Sequence, residues 1–188
     1  MKKPSNIGTN LRLALAAVCL PWLVYLLDRF VPLDLRLYGL RPHQIDGLWG
    51  IVFGPFLHGN LNHLIANTGV LFALLLVSLS FSRRLTAVAV AVIILMGGGL
   101  VWVFGKPDAI HIGSSGIIFG LLGFLMFIGI FRREKKALIV SIAIFILYGS
   151  AMLSLFDPLP GISWAGHFFG FLTGVLVASW TSKLRTYR

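Results

Sequence analysis

Long apolar runs separated by short polar segments dominate the chain. Six of these runs have about the 17–25 residues that a helix needs to cross a hydrocarbon core of roughly 30 Å. They cover residues 11–27, 61–80, 85–104, 113–131, 137–156 and 162–180. Because the connections between the last five runs are short, neighbouring helices must be antiparallel. The pattern predicts an all-α bundle of six transmembrane helices.

The one long connection, residues 28–60, is amphipathic and rich in Gly, Pro and aromatic residues. We interpret it as an ordered interfacial loop rather than a separate domain. Lys2 and Lys3 before the first apolar run resemble the start of a signal peptide, but no small-residue cleavage site follows, so we expect this helix to be retained. The prediction is one membrane domain over residues 1–188, with a core of about 11–180 and short basic termini.

Composition excludes a water-soluble globule. Hydrophobic residues make up 57% of the chain and charged residues only 12%, with a mean hydropathy of +0.91. A soluble domain has about 45–50% apolar and about 25% charged residues. Cys19 is the single cysteine, so no internal disulfide can form.

The net charge of +10 would indicate a nucleic-acid partner in a soluble protein. With a cytoplasmic N-terminus, however, 12 of the 16 basic residues fall on the inner side of the predicted topology. The inner residues are Lys2, Lys3, Arg12, Arg83, Arg84, Arg132, Arg133, Lys135, Lys136, Lys183, Arg185 and Arg188, and the outer ones are Arg29, Arg36, Arg41 and Lys106. This bias follows the positive-inside rule. We therefore expect a multi-pass protein of a bacterial plasma membrane with both termini cytoplasmic, and no nucleic-acid partner.

Polar side chains inside membrane helices are costly and are functional candidates for that reason. The second helix opens with His58, His63 and Asn67, the last two on one helical face. The fourth opens with the sequence Gly-Ser-Ser-Gly at residues 113–116, and the sixth carries His167.

These candidates are predicted to lie at a similar depth. Ser115 is 17 residues from Arg132, or about 25 Å along a helix, which places it roughly 5 Å below the outer edge of the hydrocarbon core. His167 lies about 7–8 Å into its helix, and His63 and Asn67 lie in the first two turns of theirs. A serine beside an imidazole is the simplest activated nucleophile. An amide and a second imidazole can donate to an oxyanion.

Glycine spacing predicts that the fourth and sixth helices approach closely, because small residues four apart permit backbone contact between membrane helices. The glycines concerned are Gly116 and Gly120 on the fourth helix and Gly166, Gly170 and Gly174 on the sixth. Such an approach would bring Ser115 near His167.

Taken singly, each candidate has a purely structural interpretation. A lone serine in a membrane helix usually bonds to its own helix, a lone buried histidine more often caps a helix or lines a water cavity, and Asn67 alone could join helices. The G-x-S-x-G elbow of soluble hydrolases is not met, because position 117 is isoleucine and no strand precedes it. We expect His43 and His111 to lie at the interface without polar company. Catalysis is indicated by the joint pattern.

Over about residues 36–178 these motifs resemble the rhomboid family of intramembrane serine proteases. The family pattern H-x4-H-x3-N matches His58, His63 and Asn67; G-x-S-G matches residues 113–116; and H-x2-G-x3-G matches His167, Gly170 and Gly174. The resemblance implies that Ser115 is the nucleophile and His167 the general base. It also implies an oxyanion hole of His63, Asn67 and the Ser115 backbone N–H, with His58 steadying the outer loop and no metal or cofactor.

Two positions depart from the family pattern. Phe119 stands where the family has a tyrosine that stacks on the catalytic histidine, and Trp49-Gly50 stands where it often has Trp-Arg. Phe119 keeps the aromatic ring of the family tyrosine, whereas Gly50 lacks the positive charge of the family arginine.

The resemblance implies a serine endopeptidase that cuts transmembrane proteins near the outer membrane face, with membrane lipid as its surroundings. One alternative is an inactive relative that binds or escorts membrane clients. Another is a small transporter, for which paired repeats or broken helices would be expected.

Overall fold

The computed structural model describes residues 6–155 and 163–183, and this part of the chain is almost entirely helical. Its six long helices are α1 (Ile7–Leu27), α2 (Leu61–Phe81), α3 (Arg83–Phe104), α4 (Ser115–Arg132), α5 (Lys135–Leu155) and α6 (Trp164–Lys183). The predicted all-α bundle is confirmed, with six long helices, five of which are candidate membrane spans among the described residues. Lys2, Lys3, Arg185, Arg188 and the predicted helix bounds at 156 and 162 lie outside the described residues.

Among the described residues, α1 to α5 are long and apolar enough to cross a membrane. α6 has 20 residues and is interrupted by His167 and three glycines, which reduce its hydropathy. Two predicted helices differ in detail. α5 is α-helical only to Tyr148 and continues as a 3₁₀-helix to Leu155. α3 contains a π-helical turn at Ile93–Gly97.

Helix α4 is the centre of the bundle. In its apolar window 67% of the residues are buried, against 17% to 39% in the other four candidate spans. Leu121, Phe124, Leu125 and Ile128 are fully buried along it. A helix that is apolar all round must be surrounded by protein or lipid on every side, and here the neighbouring helices cover it.

Helices α4 and α6 contact each other through their backbones. A Cβ atom added to Gly170 would overlap the Gly116 carbonyl oxygen, and one added to Gly174 would overlap that of Gly120. A Cβ at Gly116 would also lie 3.5 Å from the Gly166 carbonyl oxygen. At Gly170 and Gly174 only glycine leaves this space, so these two residues fix how closely the helices approach.

The long connection is ordered, as the sequence predicts, and its backbone pairs with the segment that precedes α4. It contains a 3₁₀-helix at Leu35–Tyr38 and a short apolar helix at Ile45–Phe56. Leu40 and His111 exchange two backbone hydrogen bonds of 3.0 and 2.8 Å, and the Gly113 N–H donates to the Gly54 carbonyl at 2.9 Å. The loop therefore holds the chain just before Ser115.

Gly50 has a steric reason to stand where the family often carries arginine. A Cβ at this position would overlap the backbone of Leu40, so no side chain fits. Trp49 beside it is 69% exposed and points away from the bundle. The loop cation that remains nearby is Arg41, which pairs with Asp46 at 2.6 Å.

Candidate active site

A cavity of about 780 Å³ lies at the end of the bundle where α2, α4 and α6 begin. Five of the sequence-predicted site residues line it, namely His63, Asn67, Ser115, Phe119 and His167. Residues 59, 60 and 109–112 of the loops before α2 and α4 also line it, together with Ala66 and Val70 of α2 and Tyr148 and Ala151 of α5. Residues from four separate stretches of the chain thus face one space.

Ser115 is the first residue of α4. The first N–H groups of a helix have no partner within the helix and carry partial positive charge. Its side chain is partly exposed to the cavity, and its hydroxyl makes no hydrogen bond with any described residue. The helix begins here rather than at the predicted residue 113 because Gly113 adopts a left-handed φ of 105°.

His167 lies in the first turn of α6, buried against α4. Its ring stacks on Phe119 with centroids 4.0 Å apart and planes inclined by 17°. The Ser154 hydroxyl lies 3.5 Å from His167 Nδ1. Because Ser154 occupies Nδ1, Nε2 is the nitrogen left for Ser115, although the described residues show no Ser115–His167 hydrogen bond.

His63 and Asn67 converge on the loop that carries the serine. A Cβ at Gly113 would lie 2.6 Å from His63 Cε1, 2.8 Å from His63 Nε2 and 3.5 Å from Asn67 Nδ2. Only glycine adopts this φ without strain and also leaves room for the imidazole. Two hydrogen-bond donors from α2 therefore lie beside the residues that lead into Ser115.

His58 does more than support the loop. Its Nε2 lies 3.1 Å from Asn67 Nδ2 and 3.5 Å from the Ser114 N–H. Since both neighbours are donors, Nε2 accepts, and Nδ1 carries the proton toward the Phe56 carbonyl at 3.4 Å. Burial, and secondly the charge of His63, lower the pKa of His58 to about 4, so the ring is neutral at pH 7.

The structure corrects the prediction for His111. His111 is not an isolated interfacial histidine, because its Nδ1 lies 2.6 Å from the Ser163 hydroxyl. Ser154 and Ser163 are site neighbours that the sequence does not predict. A serine with no motif around it carries no sequence signal, and each of these contacts depends on how the helices pack.

Comparison with known proteins agrees with this architecture. A sequence model of the Rhomboid domain matches residues 46–184. An uncharacterized protein of Mycobacterium tuberculosis is 38% identical over 173 residues, which is 87% of this chain and 72% of that protein. An uncharacterized protein of Mycobacterium leprae is 38% identical over 175 residues, 87% of this chain and 68% of that protein.

A more distant relative in Bacillus subtilis bears the name "Putative rhomboid protease YdcA". It is 30% identical over 135 residues, 69% of this chain and 65% of that protein. The class is thus a multi-pass integral membrane protein with a six-helix bundle. The chain belongs to the Rhomboid domain family.

Proposed function

We propose that this protein is an intramembrane serine endopeptidase that cuts transmembrane proteins near the outer face of a bacterial plasma membrane, with both of its own termini in the cytoplasm. The observation that carries the proposal is the shared cavity of Ser115 and His167, with His63 and Asn67 across from them. Family membership supports the same activity.

In the proposed reaction the Ser115 Oγ attacks the scissile carbonyl carbon while His167 takes the hydroxyl proton. The tetrahedral intermediate collapses, the C–N bond breaks, and His167 gives its proton to the leaving amine. A water molecule then attacks the acyl-serine ester with His167 again as the base, which releases the acid and regenerates Ser115. No cofactor takes part in these steps.

The oxyanion formed in each step is assigned to three donors: the His63 ring, the Asn67 amide and the Ser115 backbone N–H. The N-terminus of α4 favours negative charge at this point. Donors fixed before the reaction stabilise the transition state without reorganising, and losing one costs about 10²–10³-fold in rate. His58 occupies one Asn67 N–H and leaves the second for the oxyanion.

Substrate and water are proposed to reach the cavity by different sides. Water comes through the mouth formed by the outer loops, whereas a transmembrane segment comes laterally between α2 and α5. α5 is the least buried of the candidate spans, which leaves this side facing lipid. The substrate must unwind locally, because a helical backbone keeps its carbonyls in hydrogen bonds.

The deciding experiment is cleavage of a panel of single-span reporter proteins by purified protein in lipid vesicles, with fluorophosphonate labelling in parallel. We expect wild type to cut and be labelled, and Ser115→Ala and His167→Ala to do neither. Ser182→Ala is a matched control, since among the described residues its hydroxyl bonds only the Ser179 carbonyl of its own helix. Cleavage by Ser115→Ala would overturn the assignment of the nucleophile.

A client-binding relative without activity is the second candidate. It predicts that wild type and Ser115→Ala retain membrane proteins equally and that neither is labelled in detergent or in lipid. The presence of both Ser115 and His167 favours the enzyme.

A further inference from the structure

A second serine–histidine pair joins the two segments that lead into the proposed catalytic residues. His111 precedes Ser115 by four residues, and Ser163 precedes His167 by four residues. His111 Nδ1 and Ser163 Oγ are 2.6 Å apart. One hydrogen bond therefore connects equivalent points on the two segments that end in the nucleophile and the base.

Ser163 is tied to the first turn of α6. Its Oγ accepts from the Gly166 N–H at 3.1 Å, and its carbonyl accepts from the His167 N–H at 3.0 Å. A serine at this position supplies a partner for a helix N–H that would otherwise have none. Any displacement of Ser163 thus moves the start of α6 and the backbone of His167 with it.

His111 is fixed from the other side. Its backbone makes both hydrogen bonds with Leu40, and two residues later the Gly113 N–H donates to Gly54. The long loop therefore holds the whole segment that runs from His111 to Ser115. Because this side is anchored, the His111 ring can act as a fixed point for Ser163.

The chemistry of the pair favours a structural hydrogen bond over a second reactive site. Burial lowers the pKa of His111, so its ring is neutral. Its Nε2 is buried and has no hydrogen-bond partner among the described residues. The Ser163 hydroxyl already accepts from the α6 backbone.

We propose that the His111–Ser163 hydrogen bond is a positioning device that sets the distance between Ser115 and His167 by joining the loop before α4 to the start of α6. This inference rests on the proposed function. Neither residue touches the reacting atoms in this assignment. They act through the two residues that do.

The test compares variants of the pair by the rate of fluorophosphonate labelling and by reporter cleavage. His111→Phe keeps an aromatic ring but cannot bond Ser163, and His111→Asn restores a polar atom near the position of Nδ1. We expect His111→Phe to lower the labelling rate and kcat by about 10- to 100-fold, since misplacement of about 1 Å has effects of this size. KM should change much less, and His111→Asn should recover most of the loss.

Variants of Ser163 separate positioning from general stability. Ser163→Ala should be at least as slow as His111→Phe, and the double variant should be no slower than Ser163→Ala, because both changes break one link. Should His111→Phe fail to fold, the comparison of Ser163→Ala with Ser163→Thr, which keeps the hydroxyl, tests the same link. His43→Asn is the control, a loop histidine that bonds the Val103 carbonyl and does not line the cavity.

Hydrogen–deuterium exchange of residues 164–170 provides a readout that does not require activity. We expect exchange there to be about two- to tenfold faster in His111→Phe. This factor corresponds to the net contribution of one hydrogen bond to stability. Unchanged exchange, or unchanged labelling in an active protein, overturns the positioning role. Absence of labelling and cleavage in wild type overturns the proposed function instead, and the exchange result still decides the present proposal.

Discussion

The ring of Phe119 stacks nearly parallel on the ring of His167, with centroids 4.0 Å apart and planes inclined by 17°. Phe119 is one helical turn beyond Ser115, so the residue that stacks on the proposed base lies on the same helix as the proposed nucleophile. A flat ring on one side limits rotation of the imidazole and keeps its edge toward the cavity. The phenyl ring performs this task without the hydroxyl of the family tyrosine.

Replacing Phe119 therefore tests ring restraint separately from hydrogen bonding. We expect Phe119→Tyr to cleave reporters within about threefold of wild type, whereas Phe119→Ala should be slower by about 2- to 12-fold, the worth of an aromatic pair of about 0.5–1.5 kcal/mol. Initial rates at saturating substrate provide the measurement. Cleavage by Phe119→Ala at the wild-type rate would contradict the restraint of His167 by the ring.

Gly113 offers a test of the contact between the segment that leads into Ser115 and helix α2. In Gly113→Ala the alanine would have to adopt the left-handed backbone conformation of Gly113, and its methyl group would press against His63. We therefore expect loss of most cleavage together with a lower unfolding temperature. Gly69→Ala is the matched control, because a Cβ there meets nothing within 4 Å and alanine favours a helix. Normal activity in Gly113→Ala would refute the close approach of His63.

The sequence was sufficient to predict the helices and the residues that meet in the cavity, since both leave strong patterns. Membrane spans follow from length and hydropathy, and polar residues within them stand out because their burial in a bilayer is costly. The roles of His111, Ser154 and Ser163 were not predictable, because each depends on a contact between distant segments. The π-turn of α3 was also missed, since no residue type marks it; there Ile93 fills the space left by Gly120.

The backbone contact between α4 and α6 predicts an unequal response to added side chains. Gly174→Ala should lower the free energy of unfolding by about 1–3 kcal/mol or more, as expected for overpacking against the Gly120 carbonyl. Gly99→Ala on α3 adds the same methyl group where nothing lies within 4 Å, and we expect it to be neutral. Unfolding in mixed micelles measures both. Equal losses would mean that α4 and α6 are not in backbone contact.

The last prediction concerns acid. His58 has a pKa of about 4 when folded, against an ordinary value of 6.5, so the folded protein prefers the neutral ring. Stability from this preference is complete above about pH 6.5, falls as the unfolded chain takes up the proton between pH 6.5 and 4, and changes no further below that. Protonation would also place an N–H at Nε2, facing the N–H groups of Asn67 and Ser114.

His58→Gln, with an amide oxygen to accept from Asn67, should lack this loss of stability in acid. We expect the difference in unfolding free energy between pH 7.5 and 4.5 to be larger in wild type by at most about 2.5 kcal/mol. Equal pH dependence in the two proteins would contradict a neutral, accepting His58.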